Sequence, residues 1–378
     1  MLREWGRIGC IGVGGPPTHI RLMRDLCVER EGWIEPIEFE DAVAACNLLP
    51  GPASTQLSIF CAWRVRGWVG AIVGGLAFII PGLISILVLA VFFLAKNPPH
   101  WISGAAAGAG AVVAAVAVQA GVGLLPSSWQ RASQSDRAFR RRWLMYFSAA
   151  LIFSAFIGYW LVLLLLACGV IEVASRTKYR PNTPLAILPL PFLFTGVVTS
   201  GVLTSVAWIA FKVGALSYGG GFVIIPLIQS DVVNRYHWMT GGQFLNAVAL
   251  GQITPGPVAH TVVAVGYAAA GMIGALVAVL VTFTPSFAFI IFGAGRFRQL
   301  RKNFRVRAFL DGAGSATIGA ILGSAIPLAR ALSEPWQFIV LASGAVLMMR
   351  FKRGVVITLL AGAGVGIVIA AFGGAIPK

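Results

Sequence analysis

Uninterrupted apolar stretches of about 18 or more residues recur along the chain, and its charged residues gather in the short gaps between them. Wound as a helix, such a stretch crosses a hydrocarbon layer about 30 Å thick. The pattern predicts spans over 68–95 and 101–125, then a compact pair over 144–174 that turns near Gly158 and Tyr159. One further span follows over 185–210, then four more over 267–294, 308–330, 335–349 and 354–375. The short alternating strands of an outer-membrane barrel are not the pattern seen. The reading is an all-α polytopic membrane protein.

Composition agrees. Of 378 residues, 58% are apolar and 11% charged, where a soluble domain would be about 25% charged. The formal net charge of +16 invites a nucleic-acid reading, but its distribution argues otherwise. Four clusters, Arg131 to Arg142, Arg176 to Arg180, Arg296 to Arg307 and Arg350 to Arg353, hold 17 of the 29 basic residues and fall between apolar spans. Topology by the positive-inside rule accounts for them, so no nucleic-acid partner is expected. The five cysteines are odd in number and include no Cys-x-x-Cys pair, which argues against a disulfide framework or a metal cluster. The start MLREWGRIG is not followed by a short apolar run with a small-residue cleavage site, so no cleaved leader is expected.

The second half echoes the first at a constant offset of 205. Residues 7–56 align without gaps on 212–261. Gly9 meets Gly214, Gly14 and Gly15 meet Gly219 and Gly220, Ile20 meets Ile225, and Leu22 meets Leu227. Val28, Arg30, Trp33 and Phe39 then meet Val233, Arg235, Trp238 and Phe244. Ala42, Val43 and Ala44 meet Ala247, Val248 and Ala249, and Pro50-Gly51-Pro52 meets Pro255-Gly256-Pro257. The expected organisation is a first repeat half over 1–180, a linking span over 181–210 and a second half over 211–378.

Equivalent loops carry opposite charge. Loop 96–100 is nearly uncharged while its partner 296–307 holds six basic residues; 131–142 is strongly basic while 331–336 holds only Glu334. The turn near Gly158 is neutral, and its counterpart carries Arg350, Lys352 and Arg353. By the positive-inside rule the halves cross the membrane in opposite senses. The expectation is an inverted-topology repeat of about 10 to 13 membrane segments, with broken or re-entrant helices at the GG and PGP motifs. Secondary transporters have this architecture and place substrate near the midplane at the repeat interface.

Glycine and proline clusters inside apolar segments locate the candidate chemistry. Gly14, Gly15 and Pro16, matched by Gly219, Gly220 and Gly221, interrupt helices, and the freed backbone groups are tolerable only when buried in protein or facing a polar cavity. Pro-Gly-Pro should stop one helix and start another, the second proline fitting the new first turn. The expected starts just after Pro52 and Pro257 present unpaired amides and the positive end of a helix dipole, which suits an anion. Ser54, Thr55, Gln56, His260 and Thr261 fall on those first turns, Gln252 lies just ahead of the second Pro-Gly-Pro, and His19 and Ser217 adjoin the double glycines. Glycines such as Gly74, Gly75, Gly108, Gly110, Gly362, Gly364 and Gly366 read instead as helix-packing contacts.

Charged candidates are few. Arg7 and Lys212 occupy matched positions before the double glycines and are candidates for neutralising an anion. Seven of the thirteen acidic residues lie in 25–41, which reads as a solvated loop with an interfacial amphipathic helix. Asp41 stands apart: its repeat partner is the neutral Asn246, as expected if one copy alone carries a proton or pairs with a cation. Asp231 and Asp311 are the second-half candidates, and Asp311, directly after a basic loop, suits an ion pair.

The segments GGPPTHI (14–20), LLPGPASTQ (48–56), FKVGALSYGGGFVIIPL (211–227) and ALGQITPGPVAHT (249–261) resemble the chromate ion transporter family. In that family each half carries a GGP or GGG element followed by Pro-Gly-Pro. The resemblance spans essentially the whole chain. Where the family has Ser-Phe-Gly-Gly-Pro this chain has Gly12, Val13, Gly14, Gly15 and Pro16, while Ser217 keeps the serine in the second half. The resemblance implies efflux of chromate, a tetrahedral divalent oxyanion, across the bacterial plasma membrane.

No GxxxxGK[ST] loop occurs, so an ion gradient or the membrane potential is the expected energy source. No cofactor, metal or enzymatic nucleophile–base pair is expected. A carrier for sulfate or another oxyanion, or an anion channel of the same fold, fits the residues as well. The partners expected are the oxyanion and the lipid bilayer, and a homo-oligomer is compatible with the sequence.

Overall fold

The computed structural model describes residues 1–48, 51–95, 98–157, 160–177, 201–217, 222, 224–296 and 303–377. Among these the chain is helical without a strand. Seven helices form the first half: α1 (Leu2–Ile11), α2 (Pro16–Arg24), α3 (Pro36–Leu48), α4 (Ala53–Phe93), α5 (His100–Ser133), α6 (Arg137–Phe156) and α7 (Leu161–Thr177). Their counterparts are α8 (Val202–Leu216), α9 (Ile224–Gln229), α10 (Gly241–Ile253), α11 (Thr261–Gly293), α12 (Phe304–Arg330), α13 (Pro335–Met349) and α14 (Val355–Ala371). The compact pair expected over 144–174 is α6 and α7. The span expected over 185–210 is described only from residue 201, and α8 runs on through position 210.

The repeat is visible in backbone irregularities. α2 and α9 each continue into one wide π turn, Asp25–Arg30 and Ser230–Arg235, 205 positions apart. Two long helices, α4 and α11, break at matching places. Gly67 takes φ +61, ψ −151 inside α4, and Gly271 takes φ +60, ψ −148 inside α11. No neighbour lies within 4 Å of where a side chain would sit at either glycine, so the left-handed backbone alone calls for glycine there. The span expected from 267 therefore begins a few residues later, beyond this break. Residues 53–65 make a half-helix about 20 Å long, too short to cross, and 68–93 a full one about 39 Å long.

Among the described residues, four helical stretches are long and apolar enough to span: Ala53–Phe93, His100–Ser133, Val258–Gly293 and Phe304–Arg330. On α4 the residues Trp68, Ile72, Leu76, Ile80, Ile84 and Val88 are exposed at every fourth position, a stripe that suits lipid rather than water. The protein is an all-α, multi-pass membrane protein.

Packing swaps elements between halves. α4 lies on α1 and α11 on α8, while α5 packs on α13 and α14, and α12 on α6 and α7. Glycines let these backbones approach closely: Gly104 and Gly108 of α5 face Gly366 and Gly362 of α14, and Gly319 and Gly323 of α12 face the carbonyls of Phe147 and Leu151. Gly108, Gly362, Gly366, Gly74, Gly75 and Gly110 are packing contacts as their sequence setting suggests, whereas Gly364 faces open space.

Candidate functional site

The Pro-Gly-Pro elements end one helix and begin another, as their composition requires. α3 stops at Leu48 and α4 starts at Ala53; α10 stops at Ile253 and a 3-10 turn, Val258–His260, leads into α11. Pro52 and Pro257 sit at the N-cap, one position ahead of the first turn expected for them. The glycine between the prolines is left-handed in both copies, φ +122 at Gly51 and +91 at Gly256.

Each of these glycines is bonded to the other half. Gly51 N–H donates to Ser217 O at 2.8 Å, and Gly256 N–H donates to Gly12 O at 3.0 Å. Positions 51 and 256, and 12 and 217, are repeat partners, so one crossing is built twice. Crowding reinforces it: a methyl at Gly256 would meet the His260 ring at 3.1 Å, and one at Gly51 would meet Ser286 Oγ and Gly214 O at 3.2 Å.

The two crossings bring the helix starts into the protein interior. Every residue from Gly51 to Ala62 and from Gly256 to Gly266 is buried. Side-chain caps close α6 through Asp136, α10 through Thr240 and α12 through Asn303, while α1, α2, α5, α8 and α14 have none. The buried starts at Ala53 and Val258 likewise have none, which leaves first-turn amides without a side-chain acceptor. Around them Thr55 Oγ1, Ser58 Oγ, Ser217 Oγ, Ser286 Oγ, Gln252 Nε2 and both ring nitrogens of His260 are buried and make no hydrogen bond within the protein. Unsatisfied groups at that density are rare in a native interior, and amides with hydroxyl, amide and imidazole donors suit an oxyanion.

The two histidines flank one crossing. His19 Nε2 lies 2.8 Å from Gly12 O; a carbonyl only accepts, so this nitrogen carries the proton. The same oxygen accepts from Gly256, against which His260 packs. Each imidazole stands edge-on to a phenylalanine, His19 to Phe78 and His260 to Phe283.

Other sequence candidates fall in varied places. Ser54, Gln56 and Thr261 are buried on the first turns, and Thr261 Oγ1 donates to Val258 O at 2.9 Å. Gly14, φ +105, and Gly15, φ +78, form the break before α2, and Gly14 and Pro16 line a cavity of about 920 Å³ between α2, α5 and α12. Pro255 lies beside the Gly82 backbone and His260. Pro50, Gly219, Gly220 and Gly221 lie outside the described residues. The matched cations differ: Lys212 is buried and ion-paired with Asp231, whereas Arg7 is 60% exposed beside Glu4 at 4.0 Å. Asp41 is half-buried on α3, away from these starts in sequence. Asp311 forms an ion pair with Arg176 at 3.0 Å.

Sequence reasoning missed Ser58, Ser286 and Glu172. Glu172 is fully buried on α7 and accepts from Arg142 at 2.7 and 3.1 Å and from Arg176 at 2.6 Å. A lone carboxylate in an apolar run ahead of a basic cluster was the available signal. Ser286 follows Pro285 in α11 as Gly82 follows Pro81 in α4, so only the repeat could have pointed to it.

Broken helices whose uncapped starts lie buried inside a multi-pass bundle are the construction of a membrane transporter. The chain belongs to the chromate transporter family, which it matches over residues 1–173 and 204–367. It is 31% identical over 366 residues to a chromate transport protein of Cupriavidus metallidurans, covering 92% of this chain and 86% of that protein. A chromate transport protein of Pseudomonas aeruginosa is 29% identical over 344 residues, covering 87% and 80%. A probable chromate transport protein of Synechococcus elongatus is 28% identical over 337 residues, covering 86% and 82%. No solved structure matches.

Proposed function

We propose that this protein is a secondary carrier that exports chromate across the bacterial plasma membrane by alternating access, its two halves inserted in opposite senses. The observation that carries the reading is the duplicated crossing, which buries two uncapped helix starts among unpartnered hydroxyl and imidazole groups. Each helix start contributes about half a positive charge, so two of them offset about half of a dianion's charge. Hydrogen-bond donors supply the rest, and Lys212 stays neutralised by Asp231 in this conformation.

Two cavities at opposite ends of α12 support alternating access. One of about 920 Å³ opens beside Arg131 and Arg307, the basic end that the positive-inside rule places in the cytoplasm. One of about 280 Å³ lies at the other end beside Arg330 and Pro226. The inequality fits a carrier open toward the cytoplasm. Leaving a negative interior favours a dianion by about 2.3 kcal/mol per charge per 100 mV, so the potential or an ion gradient suffices as the driving force.

Labelled chromate uptake into everted vesicles, with and without an imposed gradient and with excess sulfate, tests this. Gradient-dependent uptake above control, reduced by sulfate, is the expected result. Flux that never exceeds equilibrium would make the protein a channel, and no flux from inserted protein would remove chromate as the cargo.

A further inference from the structure

The larger cavity holds charge that the central crossing does not use. It is bounded at its deep end by Gly14, Pro16 and Phe222, residues of the two glycine breaks, and at its mouth by Arg131 on the last turn of α5 and Arg307 on the first turn of α12. From Gln119 to Arg131 its α5 wall is about 18 Å long. Asp311 is its one lining carboxylate among the described residues, against two arginines.

These charges are loosely held. Arg131 Nε lies 3.7 Å from Asp311, with the arginine 56% exposed. Asp311 is ion-paired more closely with Arg176, at 3.0 Å, and Arg176 is itself tied to the buried Glu172. Asp311 is thus committed to the α7 side of the cavity and only weakly offsets Arg131. Arg307 is exposed and forms no ion pair among the described residues. A low-dielectric wall around a net positive mouth concentrates anions at its entrance.

Resting on the carrier reading above, we infer that this cavity is a capture site for divalent oxyanions, with Arg131 and Arg307 drawing the anion in and Asp311 setting the strength of the attraction. The anion is held here before it reaches the crossing, so these residues govern entry rather than the transport step. Steering scales with ligand charge, and a dianion gains twice what a monoanion does. The attraction weakens as salt shortens the screening length to about 10 Å at 0.1 M.

Two measurements test the capture site. In everted vesicles, Arg131→Gln/Arg307→Gln should raise the KM for chromate about tenfold and flatten its dependence on ionic strength, with a much smaller fall in rate at saturation. Asp311→Asn should act in the opposite sense and lower KM, a direction that damaged folding would not produce. The second measurement does not need transport. In a Cys10→Ser background, which removes the one exposed native thiol, Ser127→Cys places a thiol on the cavity wall. In neutral-lipid nanodiscs an anionic methanethiosulfonate carrying a sulfonate should react faster there than a cationic one, and the double glutamine variant should cut that preference about tenfold. An unchanged preference overturns the capture site even if wild-type vesicles carry chromate. A lost preference in a protein without chromate flux keeps the capture of anions and removes the cargo.

Discussion

The two halves share a backbone and differ in side chains. The π turns, the breaks at Gly67 and Gly271 and the glycine-to-carbonyl crossings recur at matched positions, the two breaks with nearly the same dihedral angles. Arg7 and Lys212, Thr55 and His260, and Gly82 and Ser286 are matched positions with unlike chemistry. Duplication has kept the parts that present backbone donors and has let the side chains around them diverge. A site built from backbone amides needs the former in both copies and can divide the latter between them.

The strongest way to break this comparison is at the crossing. Gly51→Val and Gly256→Val each force a β-branched residue into a left-handed backbone, at a cost of about 1–2 kcal/mol for handedness alone, and push it against Ser286 or His260. Both variants should abolish chromate flux in everted vesicles while immunoblots still find the protein in the membrane. Wild-type flux in either one would show that the two crossings are not equivalent.

Next comes the cation pair. Lys212→Met leaves the buried Asp231 with only the exposed Arg235, 3.9 Å away, and breaking a buried pair costs about 3–5 kcal/mol, so the detergent-solubilised protein should unfold at a clearly lower temperature. Lys212→Met/Asp231→Leu removes both charges and should recover most of that loss. Arg7→Met, at the matched but exposed position, should stay within about 0.5 kcal/mol of wild type. Equal losses at 7 and 212 would mean that the repeat, rather than burial, decides the role.

Smaller still is the effect at the helix breaks. Gly67→Ala and Gly271→Ala meet no neighbour, so each should lose only the cost of a side chain in this glycine-only backbone region, about 1–3 kcal/mol, read as equal falls in thermal midpoint. Unequal falls would show that one break bears on packing that the other does not.

What could be read from the sequence follows a physical divide. Spans come from local hydropathy and helix stops from proline and glycine, so α5, α6, α7, α12 and α13, and the Pro-Gly-Pro boundaries, were legible from neighbouring residues alone. The breaks at Gly67 and Gly271 were not, because a glycine inside an apolar run reads equally well as a packing contact. Lys212 and Asp231 were each singled out, yet their pairing depends on how a π turn follows α9. Arg131 and Arg307 looked like topology signals, and only the approach of α5 to α12 sets them at one cavity mouth. Pairings across the halves are tertiary facts, and a repeat predicts that they come in twos without saying which atoms meet.

The finest test concerns the divided side chains. Thr55 and His260 are repeat partners on the first turns of the two buried helix starts, and neither makes a side-chain hydrogen bond within the protein. Thr55→Val keeps the shape and removes a hydroxyl that bonds nothing in the folded chain, so no internal bond is lost and the thermal midpoint should hold or rise slightly. If the hydroxyl serves the anion, the same change should weaken binding by about 0.5–1.5 kcal/mol, the net worth of one hydrogen bond, which corresponds to a KM rise of roughly 2- to 13-fold. His260→Leu, which takes two unpartnered nitrogens from the other start, should raise KM further. A Thr55→Val protein with unchanged KM would place the anion on the second-half start alone, and the two crossings would then share a backbone without sharing the work.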